Sequence, residues 1–207
     1  MKGKFITFEG SEGSGKSTQS KLLARYLRQE GYSVVYLREP GGTAISEKIR
    51  SILLDGEHKK MCAECETLLY MAARAQVVDE IIMPALMEGK IVVCDRFLDS
   101  TLAYQGYGLG VDIKKIKDIG MFATCGIKPD LTIFMDLPIR KGLKHRDGAK
   151  DRIEKRSLAY HHRVRSGYLT MVRKEPHRIK TVKVQKEKEE TQRLIRTLAD
   201  ILLARRG

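Results

Sequence analysis

The octet Gly10-Ser11-Glu12-Gly13-Ser14-Gly15-Lys16-Ser17, followed by Thr18, constrains this chain more than any other stretch. It fits G-x-x-x-x-G-K-[ST] at every fixed position. An apolar run, Phe5-Ile6-Thr7-Phe8, precedes it, and a segment with apolar residues at helical spacing, ending near Leu27, follows it. Strand, glycine loop and helix are the setting in which this motif cradles the phosphates of a nucleoside triphosphate. Glycines let backbone N–H groups turn inward toward phosphate oxygens. The helix beginning near Gly15 adds its unpaired N–H groups and the positive end of its dipole. Lys16 then reaches the β- and γ-phosphates, and the Ser17 hydroxyl is placed to ligate Mg²⁺. The motif specifies the ligand class but not the reaction.

The chain repeats the strand–helix alternation. Apolar runs at 33–37, 91–94 and 131–136, and an alternating stretch at 179–184, predict four more strands. Helical periodicity predicts helices over 44–54, 67–83, 111–124, 138–144, 153–172 and 187–204, with Thr43 capping one, Gly56 ending it and Pro84 kinking another. The helix over 67–83 is expected to bury Leu68, Met71, Ala72, Ala75, Val78 and Ile82. The expectation is one α/β domain over 1–207, three layers deep in the P-loop NTPase manner, with a five-stranded parallel sheet and a short mobile lid near 146–154. Ligands gather at the C-terminal ends of such strands. That brings Arg38 and Asp95-Arg96 to the same edge as the glycine loop.

At 207 residues and 42% hydrophobic content, a single core of this kind can form. No long apolar span or signal-peptide pattern is present, so a cytoplasmic protein without a membrane partner is expected. Cys62 and Cys65 have C-x-x-C spacing, yet no second pair accompanies them, and they are expected to have no zinc or redox role. The net charge of +13 lies mainly in the C-terminal half. It admits a nucleic-acid partner or a phosphate-handling lid with a solvated basic surface. No nucleic-acid motif accompanies it, so the second reading is favoured.

A second cluster of chemistry surrounds the first. Tyr70 and Arg74 lie at i, i+4 on one helix, pairing an aromatic plate with a guanidinium fork, which suits a flat heterocycle bearing a carbonyl. Arg38 and Arg96, both at strand ends, suit a phosphate. Together with the glycine loop, the runs Arg38-Glu39-Pro40-Gly41-Gly42-Thr43, Leu69 to Arg74, Asp95 to Gly106, Pro129 to Thr132 and Asp151-Arg152-Ile153-Glu154 occur in an order that resembles the bacterial thymidylate kinases over nearly the whole chain.

That resemblance implies ATP-dependent, Mg²⁺-assisted phosphorylation of dTMP to dTDP by in-line transfer, in a homodimer. It implies that Arg74 bonds the thymine carbonyl and Tyr70 stacks on the ring, with Thr101 and Gln105 at the other base-contacting positions. Tyr104 would lie against the deoxyribose, disfavouring a 2′-hydroxyl, and Glu12 would contact the 3′-hydroxyl. Arg38 and Arg96 would hold the acceptor phosphate, and Asp95 would help hold the metal. None of the variable glycine-loop residues Ser11, Glu12 and Ser14 is basic, so the cation at the transferring phosphate is expected from the lid: Arg152, assisted by Arg146 or Lys150. Asp99 and Ser100 receive no assigned role. A kinase acting on dUMP or dCMP and a nucleic-acid-binding P-loop protein are the competing readings.

Overall fold

All five expected strands pair into one sheet in the computed structural model, which describes residues 3–144 and 151–204. They are β1 (Lys4–Glu9), β2 (Val34–Arg38), β3 (Ile91–Asp95), β4 (Leu131–Asp136) and β5 (Ile179–Lys183), each end within about one residue of expectation. Their spatial order is β2-β3-β1-β4-β5, and every pairing is parallel. The three central strands read as continuous apolar runs because helices cover both faces.

One face of the sheet packs Ile6, Phe8, Val93, Ile133 and Met135 against Leu23 and Leu27 of α1 (Lys16–Gln29) and Ile195 and Ala199 of α9 (Lys188–Ala204). On the other face, Phe5, Val92 and Cys94 meet Val77 of α3 (Ala63–Val77), Ile82 of a π-helical stretch (Val78–Ile82) and Ala85 of α4 (Met83–Met87). Beside them, Phe134 stacks on Tyr168 of α8 (Leu158–Lys174), ring centroids 5.0 Å apart. The side chain of each strand alternates between these two cores, as the pleat requires. α2 (Ala44–Leu54) joins α3 through Ser46, whose hydroxyl donates to the Ala73 carbonyl at 2.8 Å. α5 (Leu98–Thr101), a second π-helical stretch (Leu102–Gly108), α6 (Ile113–Ala123) and α7 (Ile139–Lys144) complete the described elements.

Several boundaries differ from expectation for identifiable reasons. Thr43 caps α2 as expected, accepting from Ser46 N–H, but the helix ends on an extended Asp55 rather than on Gly56. The helix expected over 67–83 begins earlier, because Cys62 Sγ accepts from Cys65 N–H at 3.4 Å. It widens into the π-helical register just before Pro84, with Met83 N–H bonded to the Val78 carbonyl five residues back. Its buried face also departs from the apolar line: Leu68 is 54% exposed, whereas Glu66, Thr67 and Arg74 are buried. That flank packs behind the wall of a cleft to which α3 contributes Tyr70. The helix expected from 153 starts at Leu158 behind the cap Ser157. Asp151 Oδ1 instead holds a turn, accepting from Ile153 and Glu154 N–H at 2.9 Å each. The remainder of the expected lid, 146–150, including Arg146 and Lys150, lies outside the described residues.

Candidate active site

The loop between β1 and α1 needs glycine where the chain crowds. A Cβ on Gly13, at φ 69°, would stand 1.9 Å from the Gly142 carbonyl oxygen of α7. At Gly10, φ 145°, it would stand 2.6 Å from the Met135 carbonyl oxygen. α1 opens on Gly15 with no side chain capping it, so its first N–H groups face the cleft unclaimed by a cap. Lys16 curls back over the loop, donating to the Ser11 carbonyl at 2.7 Å and Ser14 Oγ at 3.4 Å. Burial, then the nearby Arg96, pulls its ammonium pKa down to about 8, against the pull of Glu12 and Asp95.

The end of β3 meets this loop. The Ser17 hydroxyl donates to Asp95 Oδ2 in a short contact, and Asp95 Oδ1 is buried without a hydrogen-bond partner. One hydroxyl and one carboxylate with a vacant oxygen, at the mouth of a phosphate loop, form a donor set that suits a hard, oxygen-seeking cation such as Mg²⁺. Arg96 follows with φ 74°, a strained backbone for a side-chain-bearing residue. Its guanidinium donates to Glu12 Oε1 at 2.6 Å and Tyr104 OH at 3.1 Å from one nitrogen, and to Ser100 Oγ at 3.0 Å from the other. It lies 4.8 Å over the Tyr104 ring. Burial works against its charge, but Glu12 and then Tyr104 outweigh it and raise its pKa well above the usual arginine range.

Glu9 is the buried brace beneath Arg96. Its carboxyl accepts from Phe97 N–H at 2.8 Å, Ser100 N–H at 3.2 Å, Ser100 Oγ at 2.5 Å and Tyr168 OH at 2.7 Å. Burial, reinforced by Asp99, pushes its pKa up to about 7. Asp99 itself turns away, paired with both nitrogens of the Arg178 fork at 2.7 and 3.0 Å. Glu9 ends β1 just before the glycine loop, and a strand-end glutamate carries no sequence mark of being a brace.

A cleft of about 500 Å³ runs from the glycine loop to Tyr70, Thr101, Tyr104 and Gln105, passing Arg38 and Arg96. Arg74 stands just behind this wall, donating to Thr101 Oγ1 at 3.0 Å and to Glu39 Oε2 at 2.8 Å. Burial raises the Glu39 pKa and Arg74 holds it down; Glu39 Oε1 is buried with no partner. Arg38 donates to the Pro40 carbonyl at 2.8 Å and to Glu47 at 3.1 Å. Arg50, a cleft residue that the sequence did not mark, shares that carbonyl at 3.0 Å.

Arg152 is not at the glycine loop, where the lid pattern had it. Its guanidinium donates to the Leu53 carbonyl at 3.0 Å and pairs with Glu66 at 2.6 Å. Glu66 also went unmarked, although the i, i+4 spacing that joins Tyr70 to Arg74 reaches Glu66 one turn earlier.

Comparisons with known proteins place the chain in a family. The family model described as thymidylate kinase matches residues 8–195. The thymidylate kinase of Symbiobacterium thermophilum is 47% identical over 203 residues, covering 98% of this chain and 95% of its own. That of Herpetosiphon aurantiacus is 48% identical over 201 residues, covering 84% of this chain and 85% of its own. The crystal structure of the thymidylate kinase from Ehrlichia chaffeensis superposes with a TM-score of 0.81 at 35% identity, over 96% of this chain and 100% of that one.

Proposed function

The chain belongs to the thymidylate kinase family and is a phosphotransferase that converts dTMP to dTDP, and on that premise we propose that ATP is the donor, Mg²⁺ the cofactor, and the cleft described above the place where both nucleotides meet. The observation that carries this reading is the junction of Lys16, Glu12, Arg96 and Tyr104 at the centre of one cleft, with the glycine loop on one side and Tyr70, Thr101 and Gln105 on the other.

Gly10 to Thr18 hold the ATP phosphates through backbone N–H groups, with Lys16 turning its ammonium from the Ser11 carbonyl to the β- and γ-phosphates. Ser17 and Asp95 would hold Mg²⁺, which supplies charge neutralisation at the phosphate oxygens. Arg38 and Arg96 take the phosphate of dTMP, Arg50 adding positive charge beside them. Glu12 aims Arg96 and accepts from the sugar 3′-hydroxyl, while the Tyr104 ring lies against C2′. Tyr70 stacks on thymine; Arg74 donates to its carbonyl, and Thr101 and Gln105 line the same pocket. The acceptor is already an ionised phosphate oxygen, so no side chain need remove a proton, and positioning and charge stabilisation carry the reaction. An arginine on the transferring group is worth roughly 10³ or more in rate. We assign that work to Arg96, whose guanidinium already faces the loop. Arg152 would have to leave both Glu66 and Leu53 to take part, so we assign it the anchoring of the 151–157 turn.

Exposed Leu68 on α3 and Met121 and Phe122 on the adjacent α6 offer an apolar patch for a second copy of the chain, in keeping with a homodimer. Among the described residues no helix is long and apolar enough to cross a membrane, in keeping with a cytoplasmic enzyme. A coupled ADP-release assay tests the assignment. ATP with dTMP should turn over with Mg²⁺ and stop with a chelator, and dUMP and dCMP should be poorer acceptors by kcat/KM. Equal turnover of dCMP would overturn the base-pocket assignment.

A further inference from the structure

We propose that Glu66 is a specificity-determining positioning residue: it orients the Gln105 side-chain amide so that a carbonyl oxygen, and not an NH₂ group, faces the base of the acceptor nucleotide. The proposal rests on the base pocket assigned above and extends it to a residue that lies behind the pocket wall.

Glu66 is fully buried on α3. Its Oε2 takes Arg152 and Arg156, each at 2.6 Å. Its Oε1 accepts from Gln105 Nε2 at 2.8 Å. A carboxylate paired with two guanidinium groups is an acceptor only, so the group that Gln105 presents to it must be the amide NH₂. The carbonyl end is then directed the other way. Gln105 is 2% exposed yet lines the cleft, and among the described residues its side chain's hydrogen bond is the one its Nε2 gives to Glu66. An amide is chemically two-faced, and its orientation decides which bases it accepts. Oε1 outward presents an acceptor, complementary to the N3–H of thymine. Nε2 outward would present a donor, complementary to the bare N3 of cytosine. Arg74, a donor only, reads the neighbouring 4-position in the same sense.

The arginines are part of the device. Arg156 is braced at 4.7 Å over the Tyr160 ring, and the Tyr160 hydroxyl donates to the Tyr104 carbonyl at 3.3 Å. Arg152 is tied to the end of α2 through Leu53. Glu66 is thereby held from two elements, and Gln105 inherits that rigidity, which is what a discriminating hydrogen bond needs.

The test is Glu66→Gln in the full-length protein, with kcat/KM measured for dTMP and dCMP. The new amide can accept or donate, so Gln105 is free to turn. The dTMP-to-dCMP ratio of kcat/KM should fall about tenfold or more, carried by KM, with dCMP holding steady or improving. General damage to the fold lowers both substrates together and leaves the ratio alone, and that result overturns the proposal. Gln105→Leu is the control for the pocket itself: if it leaves dTMP kinetics unchanged, the base-pocket reading falls along with the proposal. If a thermal melt shows Glu66→Gln unfolded, Glu66→Asp takes its place. It keeps a charge for the arginines but withdraws the carboxylate from Gln105, and the same fall or constancy of the ratio decides.

Discussion

Arg74→Ala should damage folding and acceptor binding by separable mechanisms. The Arg74 side chain is 1% exposed, and two of its nitrogens stand 2.8 Å from Glu39 Oε2. Truncation strands a carboxylate in the protein interior. Breaking one side of a buried pair costs about 3–5 kcal/mol. In a domain of this size that lowers Tm by roughly 6–20 °C. Burial already raises the Glu39 pKa, and Arg74 is what restrains it. Without the arginine the folded-state value climbs further above the unfolded carboxyl value of about 4.3. The folded variant then binds the extra proton, so its stability is lost as pH rises from that value through the raised one. The deficit relative to wild type should therefore be larger at pH 8 than at pH 5. Independently, losing a charged donor to the thymine carbonyl should raise KM for dTMP about 10- to 100-fold with KM for ATP unchanged. Arg74→Met combined with Glu39→Gln removes both charges and should recover more than half of the lost stability while the dTMP defect remains. Urea melts at three pH values and steady-state kinetics supply all the readings. A single variant that loses less than about 1 kcal/mol with no pH trend, or a double variant no more stable than the single, would refute the buried-pair reasoning.

Glu9→Gln should flatten the pH dependence of stability. The folded carboxyl holds its proton up to about 7 against an ordinary value of 4.5. Its stabilising contribution is therefore fully present below 4.5 and lost between there and about 7; identical wild-type and variant slopes from pH 5 to 7.5 would contradict this. Asp95→Asn should raise the Mg²⁺ concentration for half-maximal activity at least tenfold with little change in KM for dTMP, and an unchanged Mg²⁺ titration would remove Asp95 from the metal site. Arg152→Ala should lower Tm and raise KM for dTMP. A variant with intact Tm and KM but kcat reduced by about 10³ would return Arg152 to the transferring phosphate.

The strands, their parallel order of use and the phosphate loop could all be read from the sequence, because each depends on local patterning. Continuous apolar runs must be covered on both faces, and a glycine loop between strand and helix has one well-defined use. The i, i+4 spacing of Tyr70 and Arg74 likewise put both on one flank of α3, Tyr70 in the cleft wall and Arg74 behind it. What spacing could not convey is partnership across distance. Glu39 meets Arg74 from another strand end, Glu9 meets Tyr168 across the sheet face, and Glu66 joins Gln105 to Arg152 and Arg156 from three separate elements. A glutamate on a helix looks the same in sequence whether it faces water or two guanidinium groups. Only the tertiary packing, by taking those carboxylates out of solvent and pairing them with donors from distant elements, decided which charges were structural and which were left facing the cleft.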